Sequence, residues 1–199
     1  MLGREYYYSG SAVHGMNPSY LIEKIIRERI LDTRYYKEHC FGLTAETILD
    51  KVVNLKYIGG QYSNQKPTEF LCLIFKLLQI HPEKEIIEEY LKDQDFKYLR
   101  SFAAFYIRLT FPPVECFKIL EPLLVDYRKL KVRANDGFQL TFMDQFIDDL
   151  LTQERVCDIA LPRLPSRYQL EETEEIEPRE SPLKSELNSQ DGMESSDED

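Results

Sequence analysis

Tryptophan is absent from this 199-residue sequence, and histidine, cysteine and glycine are scarce, at 3, 4 and 8 residues. No glycine-rich phosphate loop is present, nor a Gly-x-Ser-x-Gly elbow, nor a His-Glu-x-x-His pair. Three common enzyme signatures are thereby missing. Cys40, Cys72, Cys116 and Cys157 are never two residues apart, and each stands among apolar neighbours. That is the pattern of buried, reduced thiols in an intracellular protein, not of a zinc knuckle or a disulfide framework. His39 beside Cys40 is the one His/Cys neighbour pair. Adjacent helical residues point about 100° apart, so the pair is a poor chelate. Neither a metal nor a cofactor is expected. No apolar run approaches the roughly 20 residues that cross a bilayer, and no basic-then-apolar leader opens the chain. A soluble nuclear or cytosolic protein is expected, with no membrane partner.

A basic excess is also lacking in the body. The net charge is −10, but residues 171–199 hold 12 of the 35 acidic and 2 of the 25 basic side chains. The first 170 residues therefore carry 23 of each. A neutral body argues against a domain built for non-specific phosphate binding. The tail is rich in Glu, Ser, Asp and Pro and cannot bury enough apolar surface to fold alone. Ser195 and Ser196, in Ser-Ser-Asp-Glu-Asp, are expected sites for an acidophilic kinase.

What is present is helical periodicity. Asn17 and Pro18 open a stripe of Leu21, Ile22, Ile25, Ile26 and Ile30. Thr44 caps a second helix through Ile48, Leu49, Val52 and Val53, which Gly59-Gly60 is expected to stop. Phe70 to Ile80 reads FLCLIFKLLQI, apolar nearly all round, which places a helix at the centre of a bundle. A helix after Pro82 carries Ile86, Ile87, Tyr90 and Leu91, and a long aromatic one runs from Phe96 to Thr110. Pro112-Pro113 restarts the chain, and Pro122 breaks it near Glu121. Asn135-Asp136-Gly137 suggests a small hairpin pairing Val132 with Leu140–Phe142, the alternative being Thr141 as the cap of the next helix with Asp144 as its reciprocal partner. Phe146, Ile147, Leu150 and Leu151 mark a last helix. The expectation is an all-α, single compact multi-helix domain of about eight helices, with at most a minor β-hairpin, followed by a disordered acidic tail. Its boundaries are a flexible N-terminus over 1–13, a helical protein-interaction domain over 14–178, and the tail over 179–199.

Catalysis finds no convergent residues. His14, His39 and His81 are far apart, and Glu88-Glu89 and Asp148-Asp149 lie on solvated faces. Arg128, Lys129, Lys131 and Arg133 form a basic cluster where a helix C-terminus is expected. Cations there complement the helix dipole; direct RNA contact is the alternative. Phe102, Phe105 and Tyr106 are spaced as core, not as a stacking platform. The stretch from Glu154 to Glu172 begins like a helix end and continues as an apolar, proline-broken strip. Val156, Ile159, Leu161 and Leu164 are expected to pack back on the bundle, while Pro162 and Pro165 prevent another regular helix. Arg155, Arg163 and Arg167 are then candidates for binding a partner's carboxylates.

Six segments taken together resemble the pre-mRNA-splicing factor 38 family. They are HGMNPSYLIEKIIRERI, YYKEHCFGLTAE, KPTEFLCLIFKLLQIHPEK, DFKYLRSFAAFYIRLT, LEPLLVDYRKLK and FIDDLLTQERVCDIALPRLPSRYQLEE, in family order from His14 to Arg179. Phe111-Pro112-Pro113 falls outside the close match. The resemblance implies a non-enzymatic, helical scaffold subunit of the spliceosome in the nucleus, monomeric within the tri-snRNP and the precatalytic complex. It implies partners such as a zinc-finger splicing protein and a long helical segment of a microfibrillar-associated protein 1-type protein. No catalytic residue carries over. Animal members of the family continue into an Arg/Ser-rich tail, and no role of that tail is carried over either.

Overall fold

The computed structural model describes residues 12–179. By internal packing they divide into one unit ending at Leu164 and another starting at Pro165. The first unit contains helices α1 (Lys24–Asp32), α2 (Thr47–Val53), α3 (Glu69–Ile80), α4 (Lys84–Lys92), α5 (Lys97–Thr110), α6 (Pro113–Leu120) and α7 (Met143–Thr152). Its strands form three two-stranded antiparallel sheets. These are β1 (Gln61–Tyr62) with β2 (Lys66–Pro67), β3 (Lys129–Ala134) with β4 (Gly137–Phe142), and β5 (Arg155–Val156) with β6 (Ile159–Ala160). The second unit contains α8 (Arg167–Glu172). Helix predominates, as expected, but among the described residues the strands exceed one minor hairpin. Residues 1–11 and 180–199 lie outside the description, and with them most of the expected flexible N-terminus, most of the expected acidic tail, and Ser195 and Ser196.

The core forms around α3 and α5. Thr68 caps α3 by accepting a hydrogen bond from the Leu71 amide, and its own hydroxyl donates to the Gly59 carbonyl at 2.6 Å. Eight of the twelve α3 residues are buried. Phe70 meets Phe102 and Phe105 of α5 edge-on, with ring centroids 6.0 and 5.7 Å apart, and burial of each ring contributes roughly 2 kcal/mol. Phe102, Phe105 and Tyr106 are thus core, as their spacing suggested. Cys40, Cys72, Cys116 and Cys157 form no disulfide, and burial pushes each thiol up to about 12.

Several expected boundaries move. The first helix is split into a 3-10 turn (Pro18–Leu21), capped by the Asn17 side chain on the Ser19 amide, and α1. The interruption turns Ile25 outward, leaving Ile22, Ile26 and Ile30 buried. Helix α2 ends at Val53 without glycine. Gly59 and Gly60 serve close backbone approach instead: Ile58 pairs with Val132 of β3, and a Cβ on Gly59 would lie 2.8 Å from the Arg133 carbonyl oxygen. Directly after Gly60 the chain forms the β1–β2 hairpin. Pro122 does break the chain, giving a 3-10 turn over Glu121–Val125. The hairpin expected around Asn135-Asp136-Gly137 is present and longer than foreseen, running from Lys129↔Phe142 to Ala134↔Gly137.

In the second unit, Ser166 and Gln169 close a reciprocal capping box on α8. Glu174, with φ +58°, ends the helix as its neighbours Glu175 and Ile176 donate back to the Leu170 carbonyl.

Candidate functional site

The stretch after α7 is not a helix end. Glu154 to Leu161 fold into the β5–β6 hairpin, whose turn residues Cys157 and Asp158 both have positive φ, 50° and 62°. That is the twist a two-residue hairpin turn needs. Asp158 Oδ2 accepts from the Gln61 amide at 2.7 Å and ties the turn to β1. Ile159 is fully buried, and Val156, Leu161 and Leu164 pack on the core. The apolar strip therefore closes the first unit.

Closure leaves a cleft of about 640 Å³ between α5, the end of α7 and the strip. Leu151, Leu161 and Leu164 supply apolar wall, and Glu154 stands beside Arg155 among its lining residues. Two of the three candidate arginines, Arg155 and Arg163, line it. Arg163 is exposed and has no ion-pair partner among the described residues. Arg155 reaches Glu23 Oε1 at 2.8 Å and also donates to the Asp158 carbonyl. Arg155 is exposed and Glu23 half-buried, so the pair is partly screened by solvent and its net contribution is small. Arg167 lies in the second unit, at the start of α8, where it pairs with Glu171 and donates to the Glu177 carbonyl at 2.9 Å.

A third guanidinium in the cleft was not foreseen. Arg108 of α5 is 4% exposed and lines the same space. Its Nε donates to the Leu150 carbonyl at 2.7 Å and its Nη2 to the Pro162 carbonyl at 2.8 Å. Among the described residues no carboxylate lies within ion-pair distance of it. Burial lowers its pKa from the ordinary guanidinium value, yet arginine keeps its charge. A buried cation held by carbonyl dipoles alone favours an anionic neighbour. The sequence signal was one charge inside the nearly continuous apolar run of α5. Apolar wall with three guanidiniums suits a carboxylate carried on an apolar segment, which planar donor forks hold bidentately.

The basic cluster is not at a helix end. Arg128 precedes β3, and Lys129, Lys131 and Arg133 lie on it. Arg128 is engaged by Asp126, Nη2 to Oδ2 at 2.6 Å, and by the Gln94 carbonyl. Arg133 lies over the rings of Tyr62 and Phe138, at 4.6 and 4.7 Å.

A second cavity, of about 610 Å³, brings His14 and His81 together despite their separation in sequence. The His14 ring meets the Leu109 carbonyl at 3.1 Å, and His81 meets the Tyr106 hydroxyl at 3.2 Å. Among the described residues no group of three or more His, Cys, Asp or Glu side chains is placed to hold a metal.

The PRP38 family model matches residues 11–174. The chain belongs to the PRP38 family. It is 58% identical over 180 residues to pre-mRNA-splicing factor 38 of Schizosaccharomyces pombe, covering 90% of this chain and 86% of that protein. Identity to human pre-mRNA-splicing factor 38A is 56% over 178 residues, and there the match spans 57% of the relative's length. Among solved structures, the chain resembles one from a Snu23-Prp38-MFAP1(217-258) complex of Chaetomium thermophilum. The TM-score is 0.84 and the identity 45%, covering 93% of this chain and 99% of that one. PRP38 relatives are thus named as splicing factors, and one has been solved bound to other proteins.

Proposed function

We propose that this PRP38-family chain is a non-enzymatic scaffold subunit of the spliceosome. It works in the nucleus, within the tri-snRNP and the precatalytic complex, and holds other splicing proteins so that activation can proceed. The observation that carries this reading is the 45% identity and TM-score of 0.84 to the chain solved in the Snu23-Prp38-MFAP1(217-258) complex. By that likeness its partners are a zinc-finger splicing protein of the Snu23 type and a helical segment of the MFAP1 type. The arginine cleft receives an acidic side chain of such a partner. Arg108 forms its fixed floor, and Arg155 and Arg163 close over the carboxylate.

Affinity purification of the chain from its own cells, with and without ribonuclease, tests the scaffold. Tri-snRNP proteins should copurify, and a small set should survive ribonuclease. Absence of splicing proteins from the eluate would remove the reading. For the cleft, the double variant Arg155→Gln with Arg163→Glu should weaken partner binding about tenfold or more, measured by calorimetry, because charge-assisted pairs are lost. Its melting temperature should stay nearly unchanged, since both side chains are on the surface. Unaltered affinity rejects the cleft and leaves the scaffold standing.

Direct RNA contact through Lys129, Lys131 and Arg133 is the second reading, favoured by their shared strand face; Arg128 is already held by Asp126. RNA binding there should fall steeply with salt, with a slope of about −0.7 per single-strand phosphate contacted. Docking of an apolar helix should not. Phosphorylation at Ser195 or Ser196 is proposed for the acidic tail, and an intact mass of the native protein without added phosphate removes it.

A further inference from the structure

The β3–β4 hairpin carries an unfilled edge. Ile58 donates to the Lys131 carbonyl and accepts from the Arg133 amide, both at 2.8 Å, so these two residues turn their backbone groups away from β4. In an antiparallel ladder, residues facing such positions also point their N–H and C=O outward. Their partners are Leu140 and Phe138. Among the described residues, nothing pairs with the outward backbone groups of Phe138 and Leu140. The side chains of the same strand are just as open: Phe138 is 54%, Leu140 62% and Phe142 39% exposed. Natural edge strands are usually blunted by charge, proline or cover. This edge has six residues in register and no charge of its own.

The charges stand one strand behind. Lys129, Lys131 and Arg133 face Phe142, Leu140 and Phe138 across the ladder, and so share their side of the sheet. Lys131 Nζ is 5.9 Å and Arg133 Cζ 4.7 Å from the Phe138 ring centroid, and the Tyr57 ring lies 5.4 Å away. That ring is already flanked, so it makes a poor platform for a nucleobase. A row of free peptide donors and acceptors, by contrast, is matched by another strand.

We propose that the free edge of β4 is a docking site for an extended, acidic strand of a partner protein, which adds to the β3–β4 sheet as its next strand. Backbone pairing with Phe138 and Leu140 gives affinity. Apolar side chains of the added strand cover Phe138 and Leu140, and flanking carboxylates answer Lys129, Lys131 and Arg133. This surface is separate from the arginine cleft and stands whether or not the cleft binds a carboxylate.

The probe is a fluorescein-labelled peptide, Glu-Thr-Val-Thr-Val-Thr-Glu, titrated against the full chain by anisotropy. Companion probes carry lysine for glutamate or N-methyl groups on alternate amides, and oligouridine serves as the nucleic-acid probe. The acidic peptide should bind best, and N-methylation should weaken it about tenfold or more by removing strand pairing. Leu140→Pro should do the same, because the amide it removes points outward and serves no ladder bond. Lys129→Glu with Lys131→Glu should reverse the preference toward the lysine peptide. Equal binding of the N-methylated peptide overturns the proposal, as does binding of oligouridine alone. A dimer abolished by Leu140→Pro, without peptide binding, also overturns it and makes the edge a contact between copies. If Leu140→Pro does not fold, the methylated and unmethylated peptides on the unaltered chain still decide.

Discussion

A methyl group on Gly60 would stand 2.2 Å from the Cys157 carbonyl oxygen and 2.4 Å from an Asp158 carboxylate oxygen. No rotamer relieves a clash with backbone, so Gly60→Ala must displace the β5–β6 turn from β1. The expected loss is about 3 kcal/mol by urea unfolding, at the upper end of overpacking costs. Sequence alone assigned this glycine to a helix stop because the Gly-Gly pair follows an amphipathic stretch. What it serves is a contact 97 residues away, between Gln61 and Asp158, which no local pattern records. Arg108 was hidden in a similar way. Its helix was legible, but that two carbonyls and a cleft meet its guanidinium depends on where α7 and the closing strip end.

Asp126 works at the scale of elements. It bonds Arg100 of α5 at 2.9 Å and Arg128, just before β3, at 2.6 Å. Hydrogen bonding from Arg128, with help from Arg100, holds its carboxyl below the usual carboxylate range, against the opposing effect of burial. A folded pKa below the unfolded one means the stabilisation is complete above about pH 4 and is lost as pH falls through the folded value. Asp126→Asn should therefore cost about 3 kcal/mol near neutrality, since it leaves two guanidiniums short of their counter-charge. Chemical denaturation from pH 5 to pH 2 should show a shallower acid loss in the variant than in the parent. On α8, Ser166→Ala removes one half of the capping box. The expected change is about 1 kcal/mol, read as faster hydrogen exchange of amides 167–172 with those of α3 unaffected. The long helices were readable because α3 is a long leucine-rich run without an internal turn signal and α5 is a long aromatic run stopped by Pro112-Pro113. The β1–β2 and β5–β6 ladders were not, because two-residue strands carry no period.

For the molecule as a whole, the four thiols report on folding. Burial pushes each up to about 12, so thiolate is scarce near neutral pH. A thiol reagent at pH 8 should label the fully buried Cys40, Cys72 and Cys116 of the native chain slowly, and their labelling should accelerate along the denaturant curve that unfolds α3; Cys157 is half-buried and reacts apart from them. Rapid labelling of Cys72 in the native chain contradicts this packing. The sequence by itself determined the mostly helical class, the central place of Phe70–Ile80, a hairpin turn at Asn135-Asp136-Gly137 though not its length, and the family. Each follows from periodicity, turn chemistry or extended similarity along the chain. Tertiary structure alone decided which arginines meet. It placed Arg155 and Arg163 around the buried Arg108 and gave Arg167 to its own helix. It also moved Lys129, Lys131 and Arg133 from an expected helix end to a strand with an open neighbour. The physical reason is that a site is a meeting of side chains distant along the chain, and local patterns do not encode those distances.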